Sequence, residues 1–207
     1  MRLIISLGLV LLLSSCASQL EKKSRLPLQP QLTTIEIPSQ IVEVSDLVYD
    51  NKISMWTLNG QCYSGYVVSY YPDGSLEQKF GLFEGKKQNQ SLVWYPDGHL
   101  KFQSNYYLGK LHGEKNMWAS SADHLLISQL NYFQGKAHGL QRKWYPTGEL
   151  FKELQLNMGR EEGQQRAYRK NGDLFANYEA KNGRIFGLKR ASLCFGLDNE
   201  EVQYLED

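Results

Sequence analysis

The chain is poor in net charge, in cysteine and in long apolar runs, and each shortage excludes something. Its 23 basic and 22 acidic residues leave a formal charge of +1, so no bulk electrostatic pull toward nucleic acid is expected. It has three cysteines, Cys16, Cys62 and Cys194. No serine, threonine or cysteine is set beside a base, no pair of carboxylates recurs, and the glycines are evenly spaced rather than gathered into a strand–loop–helix phosphate cradle. A non-enzymatic protein without a cofactor is the expectation. Proline and glycine also recur too often for any long amphipathic helix. The only sustained apolar stretch, Leu3–Leu13, is too short to span a bilayer as a permanent helix.

What the chain does have is a repeat. Tyr70, Trp94, Trp118, Trp144 and Tyr168 follow one another at intervals of 24, 24, 26 and 24 residues. A leucine comes after each: Leu76, Leu100, Leu126, Leu150 and Leu174. Nine residues further on stand Gly85, Gly109, Gly135, Gly159 and Gly183, and four beyond those Asn89, Gly113, Gly139, Gly163 and Gly187. The longer interval is a two-residue insertion at Ala119–His124, where the proline and glycine of the other tips are missing. Insertions belong in loops, so the register survives.

Each unit reads as two strands. Pro-Asp-Gly, Pro-Thr-Gly and Lys-Asn-Gly at the tips supply the positive φ of a tight turn. The other edge carries Gly-Lys-x-x-Gly, with two more positions that tolerate it. Between turns the side chains alternate with period two. In the fourth unit Leu140, Trp144, Leu150, Leu154 and Leu156 are expected on one face, with Gln141, Lys143, Glu153 and Gln155 on the other. The fold class is therefore all-β: an antiparallel meander of stacked β-hairpins, open or partly curled, in a single sheet. The pattern G-x-x-x-x-[WY]-Y-P-[DT]-G-x-L…Y-x-x-G-K-x-x-G over Gly65–Leu188 resembles the bacterial variant of MORN repeats. That resemblance implies a binding or scaffolding fold, one sometimes labelled antitoxin-like.

The flanks complete the plan. Residues 1–15 read as a signal peptide, with Arg2 as its positive start. Leu13-Ser14-Ser15-Cys16 resembles a lipobox, which implies acylation of Cys16 and a lipid-anchored mature chain, palmitate being one of the usual acyl groups. By resemblance to enterobacterial lipoprotein sorting, Ala17 after the cysteine implies the outer membrane, in a cell that has one. Ala17–Ser45 is polar, without aromatics, and reads as a tether. The alternation in Ile35–Val44 leaves a docked edge strand as the other reading. Residues 46–64 are expected to cap the sheet edge, and residues 189–207 to form a final strand and an acidic tail.

Cys62 and Cys194 form an even pair in an oxidising compartment, which suggests a disulfide. Ten or so strands at about 4.8 Å each would hold them some 40–50 Å apart in a flat meander. Either the sheet curls until its ends meet or the thiols stay apart. Two surfaces are candidate binding sites. The aromatic row Tyr70, Trp94, Trp118, Trp144 and Tyr168 is either a packed ladder or a face for a glycan, peptide or protein. Lys86, Lys110, Lys136, Arg160 and Arg184 line one edge, opposite Asp73, Asp97, Glu149 and Asp173 at the tips. They are either solvated turn residues or contacts to anionic lipid or glycan. His112 and His138 recur in step, but about two strand spacings apart, too far for one metal ion. His99 and His124 read as tip residues without partners. The function expected is a membrane-anchored, protein-binding scaffold. The alternatives are direct lipid or glycan binding, and immunity against a periplasmic effector.

Overall fold

The computed structural model describes residues 35–188, 196–198 and 201–203. Cys16, the lipobox and most of the tether lie outside them, as do Cys194 and most of the expected final strand. In chain order the strands are β1 (Ile41–Glu43), then a 3-10 turn Val44–Asp46, β2 (Val48–Asp50), β3 (Met55–Leu58) and β4 (Gln61–Cys62). The repeats supply β5 (Gly65–Tyr70), β6 (Leu76–Phe83), β7 (Lys86–Trp94), β8 (Leu100–Tyr107), β9 (Lys110–Trp118) and β10 (Leu126–Phe133). They continue with β11 (Lys136–Ala137), β12 (Gly139–Trp144), β13 (Leu150–Asn157), β14 (Arg160–Tyr168), β15 (Leu174–Lys181) and β16 (Arg184–Leu188). In the stretch read as an acidic tail, β17 (Gly196–Asp198) and β18 (Glu201–Gln203) pair as a short hairpin.

From β5 to β16 each strand pairs with its sequence neighbour, the short β11 being carried on β10. This is the antiparallel meander the repeat predicts, and its ends, β1 and β16, do not pair to close a barrel. Two turn types alternate along it. At the tips, the Tyr71 N–H donates to the Ser75 carbonyl (2.8 Å) and the Gly74 N–H to the Tyr71 carbonyl (2.9 Å), with Gly74 at φ +85°. Asp73 fixes this turn by accepting the Ser75 N–H at 2.8 Å. At the other edge the loop is two residues, both left-handed, as in Glu84 (φ +48°) and Gly85 (φ +74°). Such a turn matches the strand twist. The sequence pattern misplaces its left-handed pair. The first member precedes the turn glycine, and it is Leu108 and Met158 in two of the units. The later glycine of Gly-Lys-x-x-Gly sits inside the following strand, where Gly113, Gly139 and Gly163 (φ +89°, +85° and +94°) mark a bulge.

The expected division of faces needs correcting. Gln141 pairs directly with Leu154, and Leu154 with Gln165, so these three share a face. Leu140 pairs with Gln155 and lies on the opposite one. Trp144 does pair with Leu150, but the register slips between Lys143 and Trp144 with Phe151 as the extra residue. That bulge resets the alternation between Leu150 and Leu154. The same slip recurs in every unit, beside Tyr70, Trp94, Trp118 and Tyr168.

The buried glutamines follow from the other set of bulges. Where Gly139 interrupts the ladder, the Gln141 carboxamide accepts the Asn131 N–H (3.1 Å) and donates to the Asn131 carbonyl (2.9 Å). Gln165, fully buried, donates to the Gln155 carbonyl (2.7 Å) one unit on. A buried amide side chain thus replaces backbone partners that the bulge removes, which an aliphatic side chain cannot do.

The main apolar core lies at the N-terminal end. Leu47, Tyr63, Val67, Phe80 and Leu82 are buried together, with Val42, Val44, Trp56 and Leu58 packed on them. β1 runs parallel to β5, so Ile35–Val44 takes the docked reading rather than that of a tether. A Cβ at Gly81 would press on the end of the Ile37 side chain and fall 2.9 Å from the backbone carbonyl of Gln88, which cannot give way as a side chain can. β2, β3 and β4 form a small sheet joined to the first turn by Trp56 N–H to Gly85 carbonyl (2.8 Å) and Gly85 N–H to Tyr63 carbonyl (2.7 Å).

Candidate functional site

Three surfaces of the repeat sheet are candidates: an apolar face, a basic edge and the hairpin tips. Among the described residues no helix covers either face of the sheet.

On one face Phe102 pairs with Met117, Met117 with Ser128 and Ser128 with Lys143, in one row across four strands. The extra residues of two bulges, Ile127 and Phe151, join them, as do Lys115, Leu130, Trp144 and Pro146. Together they line a groove of about 380 Å³. Its apolar side chains are only half-buried. Each aromatic of the predicted row pairs with the leucine of its own unit: Tyr70 with Leu76, Trp94 with Leu100, Trp118 with Leu126, Trp144 with Leu150, Tyr168 with Leu174. The three tryptophans and Tyr168 are half-buried by this pairing, and Tyr70 stays 50% exposed. Trp144 alone of the row borders the groove.

Near the N-terminal end of the groove face, Lys87 Nζ lies 4.5 Å from the Phe80 ring centroid and 5.3 Å from that of Tyr106. Burial pulls its pKa below the usual lysine value. At the far end Tyr178 donates to Glu161 at 2.8 Å. Burial first, and then that carboxylate, push its phenol up to about 12. The opposite face is ionic: Glu153 receives Arg142 at 2.9 Å and Arg166 at 3.7 Å.

The basic edge is assembled as the repeat predicts. Successive turns stack, so that a Cβ at Gly109 would lie 3.6 Å from Lys86 Cβ, and one at Gly135 3.8 Å from Lys110 Cβ. Lys110, Lys136, Arg160 and Arg184 are exposed, and Lys86 is half-buried. The left-handed turn residues Leu108 (42% exposed) and Met158 (39%) project from the same edge. His112 and His138 serve this edge structurally. Each Nδ1 accepts the N–H of the next unit's left-handed turn residue, Gln134 and Met158 respectively, at 3.4 Å. Gln88 does the same for Leu108 at 2.9 Å. Cys62 is exposed, with Sγ 3.5 Å from Met55 Sδ and no disulfide partner among the described residues.

The tips hold what the sequence reading missed. His99 and His124 are partners: their rings stack with centroids 3.4 Å apart and planes at 10°. Asp97 lies against both, with Oδ1 3.4 Å from His99 Nδ1 and Oδ2 3.8 Å from His124 Nε2. The backbone N–H of His99, donated to Asp97 at 3.0 Å, is the largest of the effects holding this carboxyl below its usual pKa. The signal available was the repeat itself, since adjacent tips must stack. The two-residue insertion hid which residue of the third tip meets His99.

Comparison with protein-family models, with curated proteins and with solved structures finds no match to this chain.

Proposed function

We propose that this chain is a lipid-anchored, non-enzymatic binding module that holds a protein partner against the groove face of its repeat sheet. The observation that carries this reading is the groove itself. Phe102, Met117, Ile127, Leu130 and Phe151 present apolar surface that no other described element covers, with Lys115 and Lys143 set among them. An extended peptide with apolar and acidic side chains is the occupant this lining fits. The lipobox-like Leu13–Cys16 supports an anchored location at the cell envelope, and the likeness of the repeat to MORN repeats supports a scaffolding role.

The test is cross-linking in native envelopes with the wild-type chain and with Met117→Glu and Leu130→Glu. A protein cross-linked to the wild type and lost from both variants, with their β-sheet circular dichroism intact, is the expected result. An identical set of cross-linked proteins, or none, sinks the reading.

The basic edge favours a second reading, direct contact with anionic lipid or glycan. There the exposed Lys110, Lys136 and Arg160 stand in successive turns, and the first and last of these turns also expose the apolar Leu108 and Met158. Immunity against a periplasmic effector would be a special case of protein binding by the groove.

A further inference from the structure

The third hairpin tip departs from the rest in a specific way. Its hydrogen bonds, Ala119 N–H to Leu125 carbonyl and His124 N–H to Ser121 carbonyl, parallel Tyr95 N–H to His99 carbonyl and Gly98 N–H to Tyr95 carbonyl in the second tip. His124 therefore stands where every other tip has glycine: Gly74, Gly98, Gly148 and Gly172. It keeps the left-handed backbone, at φ +45°, a region that histidine enters more readily than most residues other than glycine.

Beyond its stack on His99, the side chain makes no hydrogen bond among the described residues. His124 is mostly buried, with 17% of its side chain exposed. Its Nδ1 is buried without a hydrogen-bond partner, and its Nε2 stops 3.8 Å from Asp97, beyond hydrogen-bond length. An imidazole with neither nitrogen hydrogen-bonded is costly, and Nε2, the nitrogen turned toward Asp97, is the one open to a ligand held between the two residues.

We propose that Asp97, His99 and His124 form a binding site for one divalent transition-metal ion of the zinc, copper and nickel class. Two imidazoles and a carboxylate suit these ions rather than calcium or magnesium, which take oxygen ligands. One ligand atom from each residue lies within 4.8 Å of the other two. With metal–ligand bonds near 2.1 Å, a tetrahedral ion sets its ligands about 3.4 Å apart. Asp97 Oδ1 lies 3.4 Å from His99 Nδ1 and its other oxygen, Oδ2, 3.8 Å from His124 Nε2, so the carboxylate already faces both rings at about that spacing. One adjustment is needed. Imidazole lone pairs lie in the ring planes, and two parallel planes cannot share an ion. His99, with 55% of its side chain exposed, is the ring free to swing out of the stack, while His124 holds its place between the tips. Water completes the coordination. Binding would tie the second and third hairpins together at the one tip without proline or a tip glycine.

The test is isothermal titration of the full chain, without a polyhistidine tag, with Zn²⁺ and then with Ni²⁺ and Cu²⁺. One site per chain is expected. His99→Phe keeps a ring in the stack and removes its lone pairs, and His124→Asn keeps a side chain that tolerates positive φ. Each should weaken binding by more than the roughly 10–100-fold that losing a supporting outer-shell partner costs. His112→Gln and His138→Gln retain an acceptor for their turns, as Gln88 does, and should leave affinity unchanged. Imidazole NMR signals of His99 and His124 should move on adding Zn²⁺ while those of His112 and His138 stay. No saturable binding, binding unaffected by His99→Phe and His124→Asn with intact circular dichroism, or loss only in the His112 and His138 variants would each overturn the proposal.

Discussion

The phenol of Tyr71 donates to the carbonyl of Trp94, one repeat further along the chain, at 2.7 Å. Tyr95 does the same to Trp118 and Tyr145 to Tyr168, both at 3.0 Å. The tyrosine of each Tyr-Pro-x-Gly tip is thus a peg that fixes the next hairpin. The third tip has Ala119 in that place and makes no such bond. Tyr71→Phe, Tyr95→Phe and Tyr145→Phe should each cost about 1 kcal/mol, the net worth of one hydrogen bond. Urea unfolding measures this. Losses below a few tenths of a kcal/mol would mean the pegs do not hold the stack.

His112 gives the fold a pH dependence. Its Nδ1 is an acceptor, so the turn at Gln134 needs the neutral ring, and burial lowers its pKa from the usual 6.5. A histidine whose folded value is depressed takes up its proton more readily in the unfolded chain. Its contribution is therefore present above about pH 6.5 and is lost as pH falls through the folded value. The wild type should lose stability on going from pH 7.5 to 5, and His112→Gln should lose less. Equal losses would remove His112 as the cause.

Leu108 and Met158 occupy the first left-handed position of their two-residue turns, at φ +47° and +50°. A side chain other than glycine, asparagine or aspartate is held there at a cost of roughly 1–2 kcal/mol. Leu108→Asn and Met158→Asn should raise stability by about 0.5–1 kcal/mol each, since Asn-Gly is the preferred pair. Thermal melts report the sign. A lowered midpoint would show that these side chains make contacts worth more than the strain.

Reversing charge at Lys110, Lys136 and Arg160 separates the two readings of function. The three are exposed and stand apart from the groove. If the basic edge touches lipid, sedimentation with vesicles containing phosphatidylglycerol should fall in the Lys110→Glu, Lys136→Glu, Arg160→Glu chain at low salt and change little for the wild type between vesicle batches. If the groove is the site, the triple variant keeps its protein cross-links.

The local chemistry was legible in the sequence. Pro-Asp-Gly and the turn glycines at a 24-residue spacing dictate hairpins, because turn geometry is set by a few consecutive residues. The meander followed, since short loops leave each strand no partner but its neighbour. The alignment of Tyr70, Trp94, Trp118, Trp144 and Tyr168 with their leucines, and the basic edge, came from the same period.

Tertiary structure decided the rest. One extra residue, Phe151, reverses the alternation, so Leu154 shares a face with Gln141 and not with Leu140. Period two fixes a side chain's face only as long as pairing runs without a bulge. The need for a buried glutamine appears only once a bulge has removed backbone partners on a neighbouring strand. His99 and His124, 25 residues apart, meet because two tips stack and because the insertion moves a histidine into the place of a glycine. Contacts across strands depend on register, and register is a property of the whole sheet.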